Sequence, residues 1–349
     1  MFDLPMSKPD SASQTVFSLR RDYNKWVVNE TLEDYALRFT PHGSRKWSEI
    51  RVGNTAFGAA SFLVLEAVGA TMLVNVGFIN AFWAILATGL LIFLLSLPIC
   101  FVAAKQGLDM DLMTRGAGFG YIGSTITSLI YASFTFIFFA LEAAIMAYAL
   151  ELGFGIPPAW GYLLCAVVVI PLVTHGVTAI SKLQAWTQPI WLALLALPFV
   201  YLWIKQPAEL TGLWSYTGIG NGNSLGFNPY LFGAALTVGV ALVTQIAEQV
   251  DYLRFMPEKT EANRYRWWAG VMLGGPGWVI PGVLKMLGGA VLAYVALSNA
   301  LPLEKLVDPN QLYLIGFSYV FDSEWLALWV TVLFVIVSQL KINVTNTYA

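Results

Sequence analysis

Apolar residues are arranged in eight long runs, approximately 53–75, 79–104, 121–151, 159–175, 186–204, 230–253, 268–297 and 325–349. Within each run the apolar residues are continuous rather than alternating, which excludes barrel strands and predicts helices. All eight are long enough to cross about 30 Å of hydrocarbon. The fourth is short, and the third and seventh are long enough to require tilt. Residues 1–50 are polar and form a predicted N-terminal arm; residues 51–349 carry the membrane core. The arm has no apolar stretch of signal-peptide type, so the first span itself drives insertion. The longest outer loop, Gly218–Pro229, is rich in Gly and Asn and is expected to be flexible.

Composition agrees with this pattern. Only 11% of the 349 residues are charged and 57% are hydrophobic, against about 25% charged in soluble domains. The distribution of Lys and Arg sets the orientation. Fifteen fall in the arm and in the even-numbered gaps, against Lys205 and Lys305 on the other side. The arm alone contributes Lys8, Arg20, Arg21, Lys25, Arg38, Arg45, Lys46 and Arg51. The expectation is a multi-pass protein of a bacterial-type inner membrane with its N-terminus in the cytoplasm. The eighth run continues to Ala349 without a polar tail, which predicts an N-terminal fragment whose partner is the remaining C-terminal part of the same polypeptide.

Ionisable residues at bilayer depth cost about 2.5–3.5 kcal/mol on insertion scales and normally face a cavity or a partner. Glu66 lies mid-way along run one and Glu142 in run three. Gln245, Glu248 and Asp251 lie in run six, Lys285 in run seven and Lys341 in run eight, followed by Asn343 and Asn346. Glu66 and Glu142 are too deep and too short to snorkel and are assigned to a central polar hollow, with a purely structural buried ion pair as the other reading. Lys285 either snorkels or faces inward. Asp251 and Arg254 read as a structural or interfacial pair near a helix end. Lys341 is expected to pair with Glu142 or Glu66.

Runs one and six carry mid-span glycines: Gly53, Gly58 and Gly69 in one, Gly233 and Gly239 in the other. Helix pairs of this kind unwind around the site in inverted-repeat transporters, although glycine also serves close packing. Nothing points to an enzyme: there is no Ser/His/Asp set, metal cluster or phosphate loop, and no catalytic residue, metal ligand or cofactor is assigned. His42 and His175 are isolated. Cys100 and Cys165 sit in apolar runs as small apolar residues. The stretch Gly116–Gly123 (GAGFGYIG) follows no strand and belongs to the start of run three.

Several stretches together resemble one family. They are SQLKINVTNTYA at Ser338–Ala349, Asp251-Tyr252-Leu253-Arg254 closing run six, the lead ETLEDYALRFTPHGSRKW, and DMDLMTRGAGFGYIGS before run three. This ordered set resembles the nucleobase–cation symporters, the purine–cytosine permease and allantoin–hydantoin transporter group. The resemblance implies an all-α polytopic fold of the leucine-transporter type, two inverted repeats of five helices, here truncated after helix eight. It places the substrate at the midplane between helices one, three, six and eight. The family's aromatic-to-glutamine stretch on helix three matches Phe138–Glu142, so Phe138 is the implied stacking ring and Glu142 stands where the family has an amide. Gln245, Asn343 and Asn346 are the other implied substrate contacts. No second stacking aromatic is apparent between Leu236 and Glu248.

The family's sodium ligands include hydroxyls that Lys341-Ile342 replaces here. The expectation is that no sodium binds and that the Lys341 ammonium donates to helix-one carbonyls in its place. The implied function is secondary active transport of a nucleobase or related small heterocycle, coupled to protons rather than sodium. Glu66, Glu142, Glu248 and Lys341 are the intramembrane charges available for coupling. The implied partners are that small molecule, protons and the lipid bilayer, with no nucleic acid. A reading from another class is a transporter-like, ligand-sensing input module of a membrane sensor histidine kinase.

Overall fold

A computed structural model describes residues 40, 42, 45–220 and 225–348. Most of the arm (1–39) lies outside the described residues, as do 221–224 of the outer loop and Ala349. The described chain is all helical, with no strand among the described residues.

The first run is not one helix. It comprises α1 (Glu49–Phe57), a 3-10 turn (Gly58–Ser61) and α2 (Val64–Val76), with the halves bent by 44°. The second run is α3 (Phe78–Gln106) and the third is α4 (Met110–Thr114) leading into α5 (Gly120–Phe154). The GAGFGYIG stretch forms the kink between those two, with Gly118 at φ 111°. The fourth run is α6 (Pro158–Thr174), short as expected. The fifth is α7 (Gly176–Lys205), which begins ten residues before the predicted start at Trp186.

The sixth run is α8 (Pro229–Val240) and α9 (Gln245–Leu253), separated by a 3-10 turn at Ala241–Thr244. The seventh is also interrupted rather than long and tilted: α10 (Arg264–Gly274) stops at Gly275-Pro276, and α11 (Val279–Ser298) follows a 3-10 turn. Proline cannot supply the N–H that would continue α10. The eighth run is α13 (Glu324–Tyr348). Between the last two lies α12 (Pro309–Val320), which the hydrophobic pattern did not reveal. Its 12 residues are too few to cross the bilayer. It is started by Asp308, whose carboxylate accepts from Asn310 N at 3.0 Å, and by Pro309 at the first position.

The connections are tied down locally. The Arg45 guanidinium closes the end of α3, donating to Gln106 O at 2.7 Å and Lys105 O at 3.3 Å. The Gly218–Pro229 loop, expected to be flexible, is anchored in its described part: Ile219 N and Gly220 N donate to Val74 O and Asn75 O, both at 2.8 Å. Gly77 ends α2 at φ 77°, and a side chain there would collide with the Tyr216–Thr217 backbone.

Packing brings the interrupted helices together. Within each pair, α1 lies against α10 and α2 against α11. A Cβ on Gly69 would run into the Met286 carbonyl, and one on Gly289 into the Glu66 backbone. Gly53, Gly270 and Gly274 do the same for α1 and α10. Small residues let backbones approach where lipid supplies no hydrophobic drive. Thus Gly53 and Gly69 are packing positions, and of the three glycines in run one Gly58 marks the break. The break also divides the core: Phe62 belongs to one apolar cluster, with residues of α3 and α9 and Trp278, whereas its neighbour Leu63 belongs to a second, with Trp191, Tyr313 and Phe334. Cys100 and Cys165 are buried and free.

Filling the α2–α11 contact should therefore be costly. Gly289→Val is expected to lower stability by at least about 1–3 kcal/mol, read as a lower melting temperature in detergent. Gly233→Ala, where nothing lies within 4 Å of the added carbon, should melt like the parent.

Candidate functional site

The break in the first span leaves backbone groups without helical partners deep in an apolar environment, where each must be satisfied by the protein. Side chains from three other helices do so. On the amide side, the Glu142 carboxylate of α5 accepts from Leu63 N at 3.2 Å and Val64 N at 3.4 Å, capping the positive N-terminal end of α2. On the carbonyl side, Ser338 of α13 donates to Ser61 O at 2.5 Å. The Lys285 ammonium of α11 donates to Ala60 O at 3.0 Å and Phe62 O at 2.5 Å.

The charges then close on one another. Lys285 Nζ is 3.6 Å from Glu66 Oε2, and both side chains are buried. Glu66 Oε1 accepts from the Tyr313 hydroxyl of α12 at 2.8 Å. Lys285 therefore faces inward and does not snorkel. Glu66 and Glu142 also face inward, as expected from their depth, each with 0% exposure. They meet through Lys285 rather than through Lys341.

Lys341 is the principal correction. It is buried, but its amine points to α7, donating to Gln184 Oε1, to Thr187 Oγ1 at 3.2 Å and to Gln188 Oε1 at 2.7 Å. It pairs with neither glutamate and donates to no carbonyl of the first span. The expected pairing fails because Gln184, Thr187, Gln188 and Trp191 form one polar stripe on α7 that lies nearer. Trp191 links the two ammonium groups: Lys285 Nζ is 5.6 Å and Lys341 Nζ 5.7 Å from its ring centre. Its indole N–H donates to Ser338 Oγ at 2.9 Å, and so connects to the break. The sequence reading missed Gln184, Gln188, Trp191 and Tyr313. The α7 stripe had a signal in its i, i+3, i+4, i+7 spacing; Tyr313 had none, since α12 itself was not predicted.

A second buried polar group lies on α9 and α13. Gln245 donates to Glu248, and Thr345 of α13 lies against Glu248. The Tyr252 hydroxyl reaches Thr345 O at 3.5 Å. Gln245 Oε1 and Glu248 Oε1 on α9 are buried without hydrogen-bond partners, as are, on another face of α13 from Thr345, both side-chain polar atoms of Asn343 and Asn346. Gln339, one turn before Asn343 on α13, is in the same position. Toward the C-terminal end of α9, Asp251 lies near Arg254 and Asp109 and accepts from Met110 N at 3.4 Å, in keeping with a structural role.

Phe138 is half-buried on α5, one turn before Glu142. Its ring is 4.3 Å from Phe134 and 6.0 Å, edge-on, from Phe62 at the break. Phe62 in turn lies 6.1 Å from Trp278, from the turn before α11. The Trp278 indole N–H is buried and unpartnered. The aromatic beside Phe138 is thus Phe62 of the break itself, which links it to Trp278 of the interrupted seventh span.

Two solved structures share this arrangement of helices. Mhp1, a nucleobase-cation-symport-1 family transporter, in a closed conformation with bromovinylhydantoin bound, superposes with a TM-score of 0.58 at 16% identity, covering 90% of this chain. An inward-facing conformation of Mhp1 gives 0.62 at 17% identity and 89% coverage. The chain has the fold of Mhp1. It is thus an all-α, multi-pass membrane fold of the leucine-transporter type. The chain spans 67% and 65% of the length of the two Mhp1 chains. No protein-family model and no curated protein matches it.

The two buried cation systems should respond differently to mutation. Glu142→Ala strips two amides of their acceptor and removes a counter-charge from Lys285, an expected loss of about 3–5 kcal/mol. Lys341→Ala leaves only neutral oxygens unpartnered, about 1–3 kcal/mol. Melting in detergent should rank Glu142→Ala well below Lys341→Ala; the reverse order would mean that Lys341 carries the glutamates after all.

Proposed function

We propose that this chain is the core of a secondary transporter for a nucleobase or a closely related small heterocycle, working by alternating access and coupled to protons. The observation that carries this reading is two groups of buried, unpartnered polar atoms on helices packed against the broken first span: Asn343 and Asn346, with Gln339, on α13, and Gln245 and Glu248 on α9. A buried polar group without a partner costs about 1–3 kcal/mol, so this set is stable when a polar ligand completes it. Carboxamides both donate and accept, which suits the mixed edge of a planar heterocycle. Phe138, with Phe62 and Trp278 behind it, offers aromatic faces for such a ring.

The bromovinylhydantoin named in the Mhp1 structure supports a ligand of this chemical class. The sequence resemblance to nucleobase–cation symporters supports the same class. Glu66, Glu142 and Glu248 supply buried carboxylates for proton coupling. The strong Lys and Arg asymmetry supports a cytoplasmic N-terminus, with residues 1–50 as a cytoplasmic arm, in a bacterial-type inner membrane.

The test is uptake of labelled uracil, cytosine, hypoxanthine and allantoin by proteoliposomes of the full-length protein under an inward proton gradient. At least one should accumulate, and a protonophore should abolish accumulation; uptake indifferent to the protonophore rejects the coupling. Asn343→Ala and Asn346→Ala should each weaken binding of the accepted compound by about tenfold or more, the worth of one to two buried hydrogen bonds. Their melting temperatures should not fall, because each substitution removes an orphaned amide. Unchanged affinity in both would remove these residues from the site.

A further inference from the structure

A helix broken at membrane depth presents a row of free carbonyls at the end of its first half. Those carbonyls carry the negative end of the half-helix dipole and form a natural seat for a cation. The name of the Mhp1 family, with its cation symport, makes a metal ion the natural occupant to test against the residues here.

The residues do not fit one. Ser61 O is bonded by the Ser338 hydroxyl. Ala60 O and Phe62 O both accept from a single donor, Lys285 Nζ. The same nitrogen lies 3.6 Å from the Glu66 carboxylate and 5.5 Å and 5.6 Å from the rings of Phe62 and Trp191. Two carbonyls, a carboxylate and two aromatic faces thus already surround one positive charge. Glu142 contributes a second negative charge nearby while it caps α2. On α13, the Lys341-Ile342 pair brings no hydroxyl to these carbonyls, and the Lys341 amine turns to α7. A metal ion at the break would have to displace an ammonium that is covalently attached to the fold.

We propose that Lys285 is the resident cation of the first-span break: its ammonium fills the carbonyl seat that a free metal ion would otherwise need, so neither the broken fold nor ligand binding depends on sodium. The family resemblance pointed to Lys341 for this role, and the geometry reassigns it to a different helix. The part concerning ligand binding rests on the transporter reading above; the part concerning the fold does not.

The experiment is melting of the full-length protein in detergent at equal ionic strength in sodium, lithium, potassium or choline chloride. The parent should melt at one temperature in all four. A rise of more than about 2 °C specific to sodium or lithium would overturn the proposal. Lys285→Ala opens the seat. It should melt lower in choline, and methylammonium, sodium or lithium at high millimolar concentration should restore part of the loss. Lys341→Ala, tested alongside, should show no such rescue. If folded Lys285→Ala ignores every small cation, Lys285 is only a charge partner of Glu66 and the proposal fails. If Lys285→Ala does not fold, the double variant Glu66→Gln/Lys285→Ala removes the stranded charge for the same assay, and the parent's response to sodium decides in any case. None of these measurements uses a substrate. Failure of uptake with salt-indifferent melting would reject the transport reading alone.

Discussion

The structure depends on one constraint: a polypeptide that stops being helical inside a membrane must find partners for the amides and carbonyls it exposes. Here five such groups, between Ala60 and Val64, are supplied by Glu142, Lys285 and Ser338 from α5, α11 and α13. The acidic side chain meets the positive end of the second half-helix, and the basic one meets the negative end of the first. The charges are thus complementary to the backbone as well as to each other. This explains how ionisable residues are accommodated at a depth where an unpaired charge would be unstable.

The close crossing of α2 and α11 follows from the same requirement. For Lys285 to reach Ala60 and Phe62, α11 must lie directly on the first span. Gly69 and Gly289 permit that approach by leaving no side chain between the two backbones. The short α12 then closes the other side of Glu66 through Tyr313. The polar centre and the small-residue contact are therefore parts of one design, and neither has a role without the other.

Much of this was readable from the chain because hydrocarbon imposes long apolar runs and penalises deep charge. The eight runs correspond to observed helical segments, and the inward direction of Glu66 and Glu142 followed from their depth and short side chains. What the pattern could not give was partnership. Lys341 and Lys285 are both single lysines in apolar runs, and which of them meets the first span depends on helix crossings that a one-dimensional pattern does not encode. The start of run five was read at Trp186, which left Gln184, one of the three acceptors that hold Lys341, outside the span. The break at Gly274-Gly275-Pro276 did carry a recognisable signal, masked by the apolar residues on either side. Tyr313 was invisible because α12 is short and begins with the polar Pro309-Asn310-Gln311.

Trp191 sits between two ammonium groups while its indole N–H holds Ser338, and the same face of α7 carries the three acceptors of Lys341. Helix α7 therefore cannot slide or rotate as an independent rod. Any displacement large enough to shift the indole alters the surroundings of both positive charges and loosens the Ser338 tether at the same moment. With the other twelve tryptophans replaced, emission from Trp191 would register that rearrangement from inside the protein, with no attached dye.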